Sequence, residues 1–405
     1  MIKESKKCRL CSNLDLEEII YLCNSPPANN FDETFKQSNK AESFPLVLDY
    51  CPKCFNVQLR HCLSEKLLYS SYTYSTPSSA SLSKQYQNIL DYLKKHSNLV
   101  NSNIIEIGSN NGDLLEFLKP FSNSVLGVDP ASNIAEIANK KGIETICNFF
   151  NLDVSNEILE RGKKIDVVIA RHMFAHNAEP RNILSGIKNL ISTEGILIIE
   201  NAYAFETFLK GEFDQIYHEH MFYYSALSMK NLLLSHGLYL NDIFMSDVHG
   251  GSIAFVATCK NDDISENLKH QLEYEMALFK NKEIFSIFKS KIKVVKDFVT
   301  SNITKDALVG AYGAPAKAFT MFSYLGLDSN LIKFCVDTTP TKINKIFPVF
   351  NIPIISENEL QKENYDTILV TAWNYKDEII RKSNKIFKRG TKLIFPLPKP
   401  SIHFV

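Results

Sequence analysis

The side chains best suited to chemistry fall into a few short clusters. The first is a pair of Cys-x-x-Cys motifs, Cys8 with Cys11 and Cys51 with Cys54. Each pair can sit on a tight knuckle, so that four thiolates reach one tetrahedral zinc ion. Four protein ligands leave no position for water or substrate, and the zinc is therefore expected to be structural. Cys23 and Cys62 have no partner at this spacing and are assigned to the core.

The second cluster is Glu106-Ile107-Gly108-Ser109-Asn110-Asn111-Gly112-Asp113, which follows a strand pattern and opens a helix. Glycines there permit a sharp turn and close approach of backbone to a ligand. Asp129 closes the next strand, 21 residues beyond Gly108, where doubly wound folds place a carboxylate for ribose hydroxyls. This suits either a nicotinamide dinucleotide or S-adenosylmethionine. Asn110 stands where G-x-G-x-x-G has its middle glycine, which weakens the dinucleotide reading, and Glu106 within the strand favours a methyltransferase-type site.

The third cluster, Tyr217-His218-Glu219-His220, is the densest ionisable group in the chain. A histidine can take a proton near neutral pH, a carboxylate can orient it, and a tyrosine hydroxyl can donate to a developing oxyanion. His172 and His176 follow a different strand and are expected on the same sheet edge. A metal site built from His218, Glu219 and His220 is the rival reading. His249-Gly250-Gly251-Ser252 reads as a tight polar turn, and Tyr72 and Tyr74 lie at a junction between two parts of the chain.

The elements that must position these groups follow from hydrophobic pattern. Leu82, Tyr86, Ile89, Leu90 and Leu93 recur at helical spacing. Short apolar runs near 103–108, 124–129, 166–170 and 195–200 alternate with helical segments near 131–141, 154–162 and 180–191. That alternation predicts a parallel sheet covered on both faces. Runs near 238–246 and 252–259 predict an antiparallel hairpin that closes it. Residues 264–304 read as a connecting helix pair. The alternation then restarts with runs at 307–312, 331–337 and 367–371, with a Gly313-Ala314-Pro315 turn after the first.

The chain has 405 residues, of which 45% are hydrophobic and 22% charged, enough for several cores. Lys plus Arg and Asp plus Glu both number 45, which argues against a dedicated nucleic-acid binder. No apolar run is long enough to span a membrane, and the first residues lack the apolar core of a signal peptide. A cytoplasmic location is expected, where clustered cysteines point to metal rather than disulfides.

These motifs, with Gly127-Val128-Asp129-Pro130-Ala131 and Gly313-Ala314-Pro315-Ala316-Lys317, occur in an order that resembles the NDP-deoxysugar C-methyltransferases over essentially the whole chain. The resemblance implies an α/β chain of three domains: a zinc-binding part at 1–75, a Rossmann-like S-adenosylmethionine domain at 76–262 and, after a helical connector at 263–304, a Rossmann-like sugar-nucleotide domain at 305–405. It implies a nucleotide-linked 4-keto-6-deoxyhexose as substrate, methylated at C3 through an enolate. His220 would be the base, assisted by Tyr217 and Glu219, with His176 and Tyr72 beside the reacting sugar. Glu106, Gly108, Ser109, Asn110, Gly112 and Asp129 would hold the cofactor. Tyr74, His249, Gly313, Pro315 and Lys317 would line the sugar nucleotide, with Lys317 toward the diphosphate. Arg171-His172-Met173 departs from the expected pattern and leaves His172 without a role. A monomer is expected. An O-methyltransferase, an NAD-dependent sugar-nucleotide oxidoreductase or epimerase, and a non-catalytic zinc scaffold are the alternatives.

Overall fold

The computed structural model describes residues 2–64, 80–162, 164–304, 307–360, 362–363 and 365–405. Its central sheet has seven strands, in the order Tyr239–Ser246, Ser252–Thr258, Ile191–Ala202, Ile165–Arg171, Asn103–Ile107, Ser124–Val128 and Thr145–Ile146. The last five are parallel, and the hairpin formed by the first two is antiparallel, as the sequence pattern predicts.

The parallel strands are mostly apolar because both faces are covered, with Glu106 and Glu200 as buried exceptions. Ile104, Val167, Ile169, Ile196 and Ile198 meet Leu82, Ile89, Leu114 and Leu118 from the helices Ala80–His96 and Asp113–Leu118. The alternate residues Ile105, Val168, Ala170, Leu197 and Ile199 share a core with Val154, Ile158, Ile183 and Ile187 from the helices Leu152–Glu160 and Pro180–Leu190.

The C-terminal sheet also has seven strands, with Ile352–Ile355, Ile332–Val336, Val309–Tyr312, Thr367–Val370 and Lys392–Phe395 parallel and an antiparallel strand at each edge. The two α/β domains repeat one device. In the first, Asp129 accepts from Asn110 N at 2.9 Å and Ala131 N at 3.0 Å. In the second, Asp337 accepts from Ala314 N at 2.6 Å and Thr339 N at 2.7 Å. In each case a carboxylate ending the second strand ties down the turn that follows the first.

The connecting helices are Glu266–Lys280 and Glu283–Asn302. Buried Glu275 accepts from the Tyr203 hydroxyl at 2.7 Å, Ala226 N at 2.7 Å and Leu227 N at 2.8 Å, which fastens the first helix to the central domain.

The N-terminal part is an antiparallel sheet of Glu17–Ser25, Phe44–Tyr50 and Val57–Leu59. It is not self-contained. Its fourth strand is Phe222–Tyr223, which arrives from the central domain and pairs Phe222 with Gln58 and Tyr223 with Val57. On its other side, Phe31 packs at 5.1 Å against both Phe319 and Phe347 of the C-terminal domain. Among the described residues no helix is long and apolar enough to cross a membrane.

Candidate active site

The four expected zinc ligands converge. The sulfurs of Cys8, Cys11, Cys51 and Cys54 all lie within 4.8 Å of one another, and among the described residues this is the group of metal-binding side chains that comes together. Zinc–sulfur bonds of about 2.3 Å put tetrahedral sulfurs about 3.8 Å apart. The Cys8–Cys54 and Cys11–Cys51 separations of 3.5 and 3.6 Å fit that demand.

Each pair closes a knuckle. Ser12 N donates to Cys8 O and Phe55 N to Cys51 O, and both Ser12 and Phe55 take positive φ, +61° and +62°. Asn56 Nδ2 then reaches Cys8 Sγ at 3.5 Å, and Asn13 Nδ2 reaches Cys51 Sγ at 3.7 Å. Each knuckle thus sends an amide to a sulfur of the other, a contact that orients ligands and offsets their charge. The sequence reading missed these two asparagines, although both stand two residues past the second cysteine of their pair.

The glycine turn follows the strand Asn103–Ile107. Gly108, Asn110 and Gly112 all take positive φ, at +71°, +48° and +78°. Gly127 lies under the turn, where an added Cβ would fall 2.5 Å from Ser109 Oγ. The turn fits S-adenosylmethionine on two counts. Asp129 uses one lone pair of each oxygen on the backbone and keeps the others for a ribose diol. Ser109 Oγ and Asn111 Oδ1 are buried without a hydrogen bond from the described residues.

Below the turn, Arg171 Nε donates to Glu106 Oε1 at 2.9 Å, with the guanidinium over the Tyr86 ring. Burial pushes the Glu106 carboxyl up and Arg171 opposes it. Arg171 and Met173 therefore explain the unexpected tripeptide structurally. One pairs with Glu106, and the other fills the space beside Gly108, where an added Cβ would lie 2.9 Å from Met173 Cβ. His172 takes φ +51° and donates its N–H to Glu200 O at 2.7 Å. Gly108→Ala combines a left-handed alanine with that clash. It is expected to destabilise the fold by about 2 kcal/mol and weaken cofactor binding, as read by urea unfolding and calorimetry.

The structure brings the histidine cluster together with His176, with one exception. His220 Nδ1 lies 2.8 Å from Gln215 O, and its Nε2 lies 2.7 Å from the Tyr217 hydroxyl. A carbonyl only accepts, so Nδ1 carries the proton and Nε2 of the neutral ring accepts from Tyr217. The His176 ring meets the His220 ring edge-on at 4.9 Å. Glu219 Oε2 is 4.0 Å from His176 Nδ1, and Asn29 Nδ2 donates to Glu219 Oε1 at 3.4 Å. The exception is His218. It is fully buried, packs edge-on against Phe44, and burial lowers its pKa to about 4, so it is a neutral core residue.

Backbone contacts align these groups. Met221 N donates to Ala175 O at 2.8 Å, and Leu59 N donates to Met221 O at 3.0 Å. The segment after His220 is thus held between the His176 turn and the zinc-binding sheet.

Burial pushes the Glu219 carboxyl up to about 7, against the opposing Asn29 hydrogen bond. The folded protein therefore keeps a proton that the unfolded chain releases near 4.5. This contribution is complete below 4.5 and is lost as pH rises through 7. Glu219→Gln should remove that part of the slope, so its urea midpoint should gain on the wild type from pH 4.5 to 7.

Lys317 is placed differently from expectation. Its ammonium lies 3.6 Å from the Trp373 ring centroid and 3.9 Å from Asp214 Oδ2, buried inside the protein rather than held out toward a diphosphate. Gly313 takes φ +95° against Ala372, and the Pro315 turn leads into the helix Lys317–Leu325. The backbone at His249 forms the expected turn, Val248–Gly250. Tyr72 and Tyr74 lie outside the described residues.

Comparison with known proteins adds the following. Residues 8–69 match the family model "Putative zinc binding domain", 80–242 match "Methyltransferase domain", and 247–398 match "C-methyltransferase C-terminal domain". The C-methyltransferase NovU of Streptomyces niveus is 30% identical over 410 residues, 99% of this chain and 98% of that protein. A ubiquinone biosynthesis O-methyltransferase of Actinobacillus pleuropneumoniae serotype 5b is 26% identical over 118 residues, 27% of this chain and 49% of that protein. The magnesium protoporphyrin IX methyltransferase of Synechocystis PCC 6803, solved with bound SAM, has a TM-score of 0.35 at 14% identity, covering 46% of this chain and 88% of that one.

Proposed function

The chain belongs to the C-methyltransferase family, as an S-adenosylmethionine-dependent enzyme with a zinc-binding N-terminal domain, and on that premise we propose that it methylates C3 of a nucleotide-linked 4-keto-6-deoxyhexose. The observation that carries this reading is the Gln215 O–His220–Tyr217 chain of hydrogen bonds. Carbon is a poor nucleophile, so transfer to carbon needs a group that creates one. A ketone at C4 acidifies the C3 hydrogen, and a base then removes it to give an enolate.

His220 and Tyr217 are built to act together as that base. Nδ1 is committed to Gln215 O, which leaves Nε2 as the basic atom. The Tyr217 hydroxyl occupies Nε2, so the proton from C3 can pass to the tyrosine oxygen as its own proton moves to Nε2. His176 would face the enolate oxygen, with Glu219 orienting it, a kind of stabilisation often worth about 3–4 kcal/mol per donor. S-adenosylmethionine supplies the electrophilic methyl group. The chain must hold C3 about 3–3.5 Å from it. Glu106, Gly108, Ser109, Asn110, Gly112 and Asp129 would secure the cofactor, and His249 and the Gly313–Pro315 turn would line the sugar nucleotide. The division of labour at residues 75, 262 and 304, and action as a monomer, belong to the same reading.

The test is incubation with S-adenosylmethionine and a panel of nucleotide-linked 4-keto-6-deoxyhexoses in heavy water, followed by mass and NMR. Gain of one methyl on carbon, with deuterium exchange at C3, is the expected result. Methyl on oxygen, or turnover of a sugar without a ketone, would sink the proposal.

A further inference from the structure

The turn Phe213–Gln215 supplies the carbonyl that fixes the His220 tautomer. The Tyr223 hydroxyl of its own domain also reaches that carbonyl at 3.4 Å, but four side chains that hold the turn come from another domain. The Trp373 indole N–H donates to Asp214 Oδ2 at 2.6 Å. The Lys317 ammonium sits 3.9 Å from the same oxygen. The Thr320 hydroxyl donates to Ile216 O at 2.7 Å. Tyr324 packs its ring on Phe213 at 4.6 Å. Asp214 and Thr320 are fully buried, and Gln215, between the two anchored residues, has little freedom left.

We infer that the C-terminal domain is a positioning device for the proton acceptor, its Trp373, Lys317 and Thr320 side chains clamping the turn whose Gln215 carbonyl holds His220. These residues act through another group, so they are positioning residues. The inference rests on the reading of His220 as proton acceptor.

An alternative, that Trp373 and Lys317 merely glue two domains together, is less well supported. Glue has no need to converge on the two neighbours of one carbonyl. A buried carboxylate is a costly choice for adhesion, because it must be desolvated and then matched. Here it accepts an indole N–H and faces an ammonium, which also fixes its direction. A misplacement of about 1 Å in a catalytic group can cost a hundredfold in rate. Local firmness at this turn therefore bears directly on turnover.

The test uses the full-length, zinc-loaded protein with Trp373→Phe, Thr320→Val and Thr320→Ser. The phenylalanine variant keeps an aromatic face for Lys317 and removes the N–H. The valine variant keeps shape and removes the hydroxyl, which serine restores. In wild type, 15N NMR of labelled histidine should show His220 protonated on Nδ1 and bare on Nε2. In Trp373→Phe and Thr320→Val it should show a mixture of tautomers. With S-adenosylmethionine and an accepted 4-keto-6-deoxyhexose, kcat should fall about tenfold to a hundredfold, with S-adenosylmethionine affinity unchanged. Thr320→Ser should recover both signals.

An unchanged tautomer and kcat in folded Trp373→Phe would overturn the inference, even if Thr320→Val proved too unstable to study. So would valine and serine variants that behave alike. If His220→Asn kept its turnover, the reading of His220 as proton acceptor would fail instead. The tautomer measurement, which needs no substrate, would still report on the clamp.

Discussion

His220→Asn should lower turnover by about 10²–10⁴-fold, the range a positioned general base contributes, while binding S-adenosylmethionine as the wild type does. The asparagine amide can still donate toward Gln215 O, so the loop keeps its local bond. What disappears is Nε2, the atom that accepts from Tyr217. The cofactor turn at Gly108–Gly112 belongs to a different loop, after the strand Asn103–Ile107, which is why affinity should be spared. The measurements are initial rates, deuterium wash-in at C3 and calorimetry with the cofactor. Exchange at C3 should vanish along with methyl transfer. Turnover within tenfold of wild type would remove His220 from the chemistry.

Removal of zinc should be nearly as damaging, by a different route. Binding of a structural zinc contributes about 10–16 kcal/mol in small domains, as much as the whole stability of a typical fold, about 5–15 kcal/mol. The N-terminal part is small and draws both its knuckles to the Cys8–Cys11–Cys51–Cys54 centre. Without the ion, the strand Val57–Leu59 should lose its place. With it go the ladder to Phe222–Tyr223, the Leu59 bond to Met221 O and the Asn29 contact to Glu219. The histidine loop then has no frame on that side.

Chelation, or Cys51→Ser, should therefore reduce turnover by about a hundredfold or more while the central sheet still binds cofactor. Readdition of zinc should restore the chelated wild type and not the serine variant. A zinc-free protein with wild-type turnover would show that the metal serves some other end.

Much of this could be read from the residues alone. Cysteine spacing announces a four-thiolate centre because both halves of each pair are local. The strand runs at 103–108 and 166–170 were legible because strands buried on both faces read as nearly continuous apolar runs. The Tyr217–His220 cluster was legible as a run of ionisable side chains, but which of them lie buried was not. His218 and His220 differ by burial, and burial depends on Phe44, a residue distant in sequence. The pairing of Phe222–Tyr223 was illegible because two residues carry no period. Lys317 was placed toward the diphosphate by the resemblance, not by anything local to it. Its partner Asp214 becomes its neighbour only when two domains meet, and Trp373, 56 residues on in its own domain, only when that domain folds. Arg171 likewise looked anomalous until Glu106 stood beside it.

The two-residue strand Phe222–Tyr223 also bears on how such enzymes can be recombined. A cut in the chain after the zinc-binding residues looks like a natural seam, yet it leaves behind one strand of the sheet being moved. A hybrid that takes residues 1–64 from one relative and the remainder from another inherits a mismatched edge immediately after the histidine loop. Grafts that carry the segment around Met221–Tyr223 along with the cysteines should tolerate exchange far better. Inheritance in this lineage is therefore expected to couple two stretches of sequence that no linear boundary would group, and changes to one should select for changes in the other.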